Sequence, residues 1–382
     1  MCIIGLKLKI STYFAATSLS ILKRIHYHNL DAIRFIAFFK VFLLHLPEGI
    51  NTPVFNFLKQ GGGTGVSIFF VLSGFLISDI LIKQCNQYGH VNPITFLIRR
   101  AFRIWPLFFL GVAIAYMGIA LTSYFGISQS EGYMPKPIFS FLFLENYKSI
   151  LEGTYPRGVP LQVFWSLCIE EHFYLLWILL FMFVPIKHVV KVFGGLWLLA
   201  ITTRYLTLKY LPEYHINGSE IITSLDYFAV GGLVAAYRNQ LLPFKFDYQN
   251  RFIRLATISI AIGYIILQHL WFEYLGIFGI TTSAFVYGMF IWVMTAQSTK
   301  NFIKDNAMIS RLGIISYGLY VFHTPIILSL RKLYDFAAIE YQSSIGILLF
   351  SILALALSII VAWLSYNFYE GWFLKIREKY WK

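Results

Sequence analysis

The sequence predicts an all-α polytopic membrane protein: a bundle of about ten transmembrane helices with both termini cytoplasmic. Three observations predict it. Hydrophobic residues fill 58% of the 382 positions and charged residues only 13%, about half the share of roughly 25% typical of a soluble domain. Mean hydropathy is +0.66. Ten apolar stretches approach the ~20 residues needed to cross a bilayer. These numbers exclude disorder, collagen-like repeats and a soluble α/β enzyme. No segment shows the strict alternation over about ten residues of a barrel strand.

The stretches run 30–46, 66–82, 105–124, 164–184, 189–206, 221–237, 255–272, 275–296, 312–330 and 345–366. The apolar run 138–144 is too short to cross and reads as interfacial or re-entrant. With the N-terminus inside, 21 of the 31 Lys and Arg residues fall in inner segments and 8 in outer ones, while Arg34 and Lys40 lie within the first stretch. That asymmetry puts both termini in the cytoplasm. It also explains the net charge of +13 without a nucleic-acid partner, since no long basic run interleaved with aromatic residues occurs. Cys2, Cys85 and Cys168 are too scattered for a disulfide framework or a zinc site, and no metal is expected. Residues 1–24 form an N-terminal extension: Lys7 and Lys9 precede a short apolar run, as in a signal peptide, an interfacial segment or a mis-assigned start. The membrane domain spans 25–373 and a basic cytoplasmic tail 374–382.

Ionisable residues inside apolar spans are costly, and each is a functional candidate. The first stretch carries Asp31, Arg34, Lys40 and His45. Arg34 and His45, eleven residues apart, project within about 20° of each other and lie roughly 16 Å apart along a helix. Asp31 sits one turn from Arg34 and can pair with it. The structural alternatives are that Arg34 snorkels to headgroups and that His45 caps the helix before Pro47. Ser73 and Gly74 serve either close helix packing or a ligand. Arg100 and Arg103, one turn apart, can grip phosphates through their guanidinium forks or simply anchor the helix. Ser166 and Glu170 share a face at i and i+4. Glu171 points elsewhere and can bond to a neighbouring helix. Tyr320 and His323 lie in the ninth stretch, where a satisfied core histidine competes with a functional one. Asp226 and His269 read as helix–helix hydrogen-bond partners. By depth, His45, Ser166, Glu170 and His323 converge toward the outer side, with Ser73 near mid-depth; Arg34, Arg100 and Arg103 line the inner side.

These pieces resemble the acyltransferase-3 family of integral-membrane acyltransferases. The resemblance rests on Leu30-Asp31-Ala32-Ile33-Arg34 with His45 eleven residues after the arginine, and on Gly65-Val66 through Phe70 with Ser73-Gly74-Phe75. It continues in Arg100 through Pro106, Trp165-Ser166-Leu167 with Glu170-Glu171, Tyr317 through Pro325 with His323, and the closing Leu364-Ser365-Tyr366-Asn367-Phe368-Tyr369-Glu370. It covers about 25–373. Gly371 stands where proline is common in the family. With no extracytoplasmic hydrolase-like domain after the last span, the chemistry is expected in the bundle alone.

The resemblance implies transfer of an acyl group, often acetyl, from cytoplasmic acyl-coenzyme A to a hydroxyl of a sugar-containing acceptor, such as a surface polysaccharide unit. It also implies a multi-pass protein of a bacterial inner membrane, with acyl-CoA as co-substrate and no bound cofactor. Carried over by position, His45 is the general base, and Arg34, Arg100 and Arg103 hold the coenzyme phosphates. Glu170 orients His45 or binds the sugar hydroxyl. Ser73, Ser166, Glu171, Tyr320 and His323 shape the site. A covalent route through Ser73, Ser166 or Cys168 stays open. The competing class is a secondary transporter or glycan flippase, which moves its substrate unchanged. Such proteins often carry paired broken helices in two repeated halves, and no such pairing is visible here.

Overall fold

A computed structural model describes residues 27–126, 132–157, 159–212, 214, 218–242, 250–296, 299 and 302–380. The whole N-terminal extension, residues 1–24, therefore lies outside the described residues. The described residues form helices and no strand, apart from one isolated bridge between Tyr133 and Pro156.

The first helix, α1, spans Leu30–His45. Asn29 anchors its start: its amide donates to the carbonyls of Met294 and Thr299 and its oxygen accepts from the Ile303 N–H. Pro47 ends it by forcing Leu46 into extended backbone. The short α2, Pro53–Lys59, opens on a proline at its first turn. Helix α3 covers Gly63–Tyr88 and stops at Gly89 in the left-handed conformation. Helix α4, Pro93–Tyr124, begins on the Asn92 cap, whose side chain accepts from the Thr95 N–H.

The segment between α4 and the next long helix contains two short helices, α5 (Pro137–Phe141) and α6 (Glu145–Glu152). The apolar run 138–144 thus becomes part of a folded cap. Then come α7 (Trp165–Phe183), α8 (Val189–Tyr210), α9 (Leu225–Arg238), α10 (Arg251–Leu275) and α11 (Ile277–Met294). Helices α12 (Met308–Ile314) and α13 (Ser316–Phe336) meet at an angle of 82°. Helix α14, Ser344–Leu364, runs through a π-helical segment, Ser365–Glu370, into α15, Gly371–Tyr380.

Six of the described helical segments are long and apolar enough to cross a membrane, or seven if the bent α12–α13 pair counts as one span. The stretches expected at 30–46 and 221–237 form helices of only 16 and 14 residues. Their place in the bundle explains why short helices suffice. Helix α9 is packed between α3, α8 and α11. Where it crosses α3, a Cβ on Gly74 would lie 2.4 Å from the Phe228 carbonyl oxygen, and one on Gly231 would lie 2.3 Å from that of Val71. Small residues let these backbones touch, the usual way helices associate without a hydrophobic drive. Helix α1 divides two apolar clusters. Its Ile33, Ala37 and Val41 face one, with α3, α4, α7 and α9, and its Phe38, Phe42 and the adjoining Leu46 face the other, with α13 and α14.

Contacts fix the helix directions. Leu44 meets Gly62 and Ala37 meets Gly65, while Tyr27 meets Phe75, so α1 and α3 are antiparallel. Arg100 lies over Tyr174, Trp105 reaches Glu171 and Phe108 stacks on Phe164, so α4 runs against α7. Gly313 of α12 packs on the Asp31 carbonyl at the start of α1, and His323 of α13 lies beside His45 at its end, so α13 leads in the same direction as α1.

Two sequence readings need correction. Arg204, one of the eight Lys and Arg residues that the sequence assigns to outer segments, lies inside α8 with no exposed surface, ion-paired to Asp226. A desolvated guanidinium this deep requires a carboxylate partner, so it carries no topological information. His269 makes no helix–helix hydrogen bond: neither ring nitrogen has a partner among the described residues, and the ring packs edge-on against Phe57 at 4.6 Å.

Candidate active site

His45 occupies the last turn of α1. Its Nδ1 lies 2.9 Å from the Val41 carbonyl and 3.3 Å from Nε2 of His323. Nδ1 of His323 in turn lies 2.7 Å from the Tyr320 carbonyl, one turn back on α13. A carbonyl oxygen only accepts, so Nδ1 of each ring carries the hydrogen. Nε2 of His323 is then an acceptor for the His45 Nδ1–H. This leaves Nε2 of His45 with a lone pair and no hydrogen-bond partner among the described residues. His323 is fully buried and braced edge-on by Phe38 at 5.7 Å, while His45 is half-buried. A fixed tautomer with an unoccupied basic nitrogen is what a general base requires.

Deeper in the bundle, the Tyr320 hydroxyl lies 2.7 Å from Ser166 Oγ, and the Val163 carbonyl lies within reach of both, at 3.0 and 3.1 Å, so one hydroxyl donates to the carbonyl and the other to its neighbour. One turn farther along α7, Glu170 Oε1 accepts from Ser73 on α3 and, at 2.7 Å, from the Tyr174 hydroxyl. Glu171 faces α4 and accepts from Trp105 Nε1 at 3.2 Å. The structure therefore joins His45 to His323, Ser166 to Tyr320 and Ser73 to Glu170. It does not bring Glu170 to His45. The expectation that Glu170 orients the histidine gives way to His323 and the Val41 carbonyl, because both Glu170 contacts lie farther along α7 and α3.

Arg34, Arg100 and Arg103 lie toward the opposite end. Arg34 pairs with Asp31 on its own helix. Sequence alone placed Arg100 and Arg103 before a span, yet they sit within α4. The Arg100 guanidinium lies 5.8 Å from the ring centroids of both Phe96 and Tyr174. The charge of Arg103 acts on Glu370 in the π-helical segment and on Tyr317, whose hydroxyl donates to the Ile104 carbonyl at 2.8 Å. From the level of Ile104 and Tyr317 to His323 is six residues of α13, about 9 Å at the helical rise. Tyr174, Trp105, Tyr317 and Glu370 escaped the sequence reading as site residues. Glu370 met the criterion applied to the others, an ionisable group at the end of an apolar run. Tyr174 stands one turn after Glu170.

The His45 end lies under the cap. Glu145 on α6 is fully buried, accepting from Ser140 at 2.5 Å and from Tyr133 at 2.9 Å. Burial pushes its carboxyl above the usual carboxylate range, against the pull of those bonds and of Lys148. Among the described residues no three His, Cys, Asp or Glu side chains are placed to share a metal ion.

A family model described as an acyltransferase domain matches residues 27–366. The chain belongs to this acyltransferase family. Among the family's curated relatives, the peptidoglycan O-acetyltransferase OatA of Listeria monocytogenes is 28% identical over 367 residues, covering 90% of this chain and 55% of OatA. A putative O-acetyltransferase of Staphylococcus aureus strain COL is 26% identical over 373 residues, covering 91% of this chain and 57% of that protein. Nodulation protein 10 of Rhizobium leguminosarum is 30% identical over 167 residues, covering 39% of this chain and 43% of that protein. The chain thus spans little more than half the length of the O-acetyltransferases it resembles. No solved structure matches it.

Proposed function

We propose that this acyltransferase moves an acyl group, acetyl in the simplest case, from cytoplasmic acyl-CoA to a hydroxyl of a sugar-containing acceptor beyond the membrane. The observation that carries this reading is the His45 tautomer: Nδ1–H is committed to Val41 and His323, and Nε2 is left open. In the proposed step Nε2 takes the proton of the acceptor hydroxyl as its oxygen attacks the thioester carbonyl. The carbon–sulfur bond then breaks, and the imidazolium returns the proton to the departing thiolate. His323 is a positioning residue that holds the ring and accepts the Nδ1–H while the imidazolium exists. Glu170, Ser73, Ser166, Glu171 and Tyr320 line the way between the two ends. Arg34, Arg100 and Arg103 hold the coenzyme phosphates, from about 10 Å (Arg103) to about 16 Å (Arg34) from the histidine pair by helix rise, a gap for the extended pantetheine arm. This reading takes ten passes of an inner membrane with both termini inside, in keeping with the Lys and Arg asymmetry. OatA homology motivates the glycan acceptor.

The test is thiol release from acetyl-CoA by the purified full chain, with and without membrane-glycan extract. The expected result is release that depends on the extract. No release with any common acyl thioester, from folded protein and a broad acceptor mixture, overturns the reading in favour of transport.

A further inference from the structure

Resting on that reading, the turn after His323 adds a group to the reacting centre. The proposed attack turns the thioester carbonyl oxygen into an alkoxide, and a buried alkoxide needs hydrogen-bond donors aimed at it. The hydrogens already described around the histidine pair are committed elsewhere. Nδ1–H of His45 goes to Val41 and His323, and Nδ1–H of His323 goes to the Tyr320 carbonyl. The Ser166 and Tyr320 hydroxyls serve the Val163 carbonyl and each other.

Thr324 is different. It follows His323 directly on α13 and is only 5% exposed. Its Oγ1 is shielded from solvent, yet it has no hydrogen-bond partner among the described residues. A threonine hydroxyl inside a helix usually bonds to the carbonyl three or four residues back. Four back is Tyr320, whose carbonyl accepts His323 Nδ1–H at 2.7 Å. That carbonyl also takes the Thr324 N–H in the regular ladder of α13, which fills both its lone pairs. Three back is Val321, and the hydroxyl leaves that carbonyl unbonded too. A desolvated donor left unused is costly and calls for an explanation such as catalysis.

Its position supplies one. Thr324 and Tyr320, four residues apart, share a side of α13. That side meets Ser166 on α7 and Phe69 on α3, whose ring centroid lies 6.3 Å from that of Tyr320. Thr324 thus stands one turn beyond the Ser166–Tyr320 pair and at the level of the two histidines, where His323 lies 3.3 Å from His45.

We propose that Thr324 is a catalytic residue, the oxyanion donor of the acyl transfer. As the acceptor oxygen adds to the thioester carbon, the carbonyl π pair moves to its oxygen, and the Thr324 O–H donates to that alkoxide. When the carbon–sulfur bond breaks, the pair returns and re-forms the C=O. The Thr324 hydrogen stays on Oγ1 throughout, while the acceptor proton travels through His45 Nε2 to the thiolate. The hydrogen bond missing from the resting site is made only as the alkoxide forms, where it raises kcat.

The experiment pairs activity with stability. Thr324→Val keeps the side-chain shape and removes the hydroxyl. Its kcat for thiol release from acetyl-CoA, with membrane-glycan extract as acceptor, is expected to fall about 10²- to 10³-fold, the loss of one oxyanion donor. The KM for acetyl-CoA stays in place, because the contact is absent from the ground state. The thermal unfolding midpoint is expected to hold or rise, since no resting hydrogen bond is lost. Thr324→Ser is expected to restore most of the rate. An undiminished kcat in Thr324→Val shows the hydroxyl to be idle and overturns the role. A lowered midpoint in that variant shows a structural partner and overturns it too, as does a Thr324→Ser variant as slow as Thr324→Val. A parent chain that releases no thiol overturns the acyl-CoA reading and this role with it, whereas an active parent beside an equally active Thr324→Val overturns this role alone.

Discussion

His45→Ala is expected to lower acceptor-dependent thiol release by about 10²- to 10⁴-fold, the usual contribution of a positioned general base. The loss is expected in kcat, because the imidazole acts on the proton as the oxygen attacks. The thermal unfolding midpoint should move little, since His45 is half-buried and its nearest hydrogen bond is to Val41 in its own helix. His323→Gln tests the pair differently. The side chain of His323 is fully buried and anchors only one nitrogen of His45. Its replacement is expected to reduce kcat less than His45→Ala does and to change the pH profile, while leaving the KM for acyl-CoA in place. A merely structural His323 changes stability without moving the pH profile. Full activity in His45→Ala removes the proposed base.

The second large effect is on folding. Arg204 and Asp226 pair at zero exposure, with Arg204 also donating to the Thr223 carbonyl at 2.8 Å and to Thr281 at 2.9 Å. Asp226 is held by Arg204 and by the backbone N–H of Tyr227 at 3.0 Å. Arg204→Met removes the cation and leaves a carboxylate buried among helices. The expected cost is about 3–5 kcal/mol, that of breaking one partner of a buried pair. Replacing both, with Arg204→Met and Asp226→Leu together, is expected to recover most of that loss, because no uncompensated charge remains. Thermal unfolding of the detergent-solubilised variants reads both numbers. A single variant as stable as the parent, or a double variant worse than the single, contradicts the pairing.

The same pair shows where sequence reasoning stops. Hydropathy located a helix for each of the ten apolar stretches, because apolar content and length report directly on what a helix can bury. It misplaced edges where charged residues face protein. Arg99, Arg100 and Arg103 look like a boundary, yet α4 starts at Pro93 and carries them through its first turns. It also missed the 82° bend between α12 and α13, where Gly313 sits so close to the Asp31 carbonyl that a Cβ would lie 1.7 Å away. The candidate site residues were legible one by one as polar groups in an apolar setting. Their partnerships were not. His45 and His323 are 278 residues apart, Ser166 and Tyr320 154, and Ser73 and Glu170 97. Helical depth puts such groups at comparable levels, but lateral proximity depends on which helices pack. That was decided by small residues such as Gly65, Gly74 and Gly231, whose contacts appear only in the fold.

The account turns on His45 taking the proton of an acceptor hydroxyl on one side as that oxygen receives the acyl group from a thioester supplied on the other. The most direct test reconstitutes the full chain in sealed vesicles, with carbon-labelled acetyl-CoA outside and a cell-wall glycan oligosaccharide inside. Vesicles are sorted so that the coenzyme faces the Arg100 end. The account predicts acetyl label covalently attached to the enclosed oligosaccharide, matched by thiol released outside and absent with His45→Ala. Unlabelled oligosaccharide with intact acetyl-CoA, or labelling that persists in His45→Ala, contradicts it.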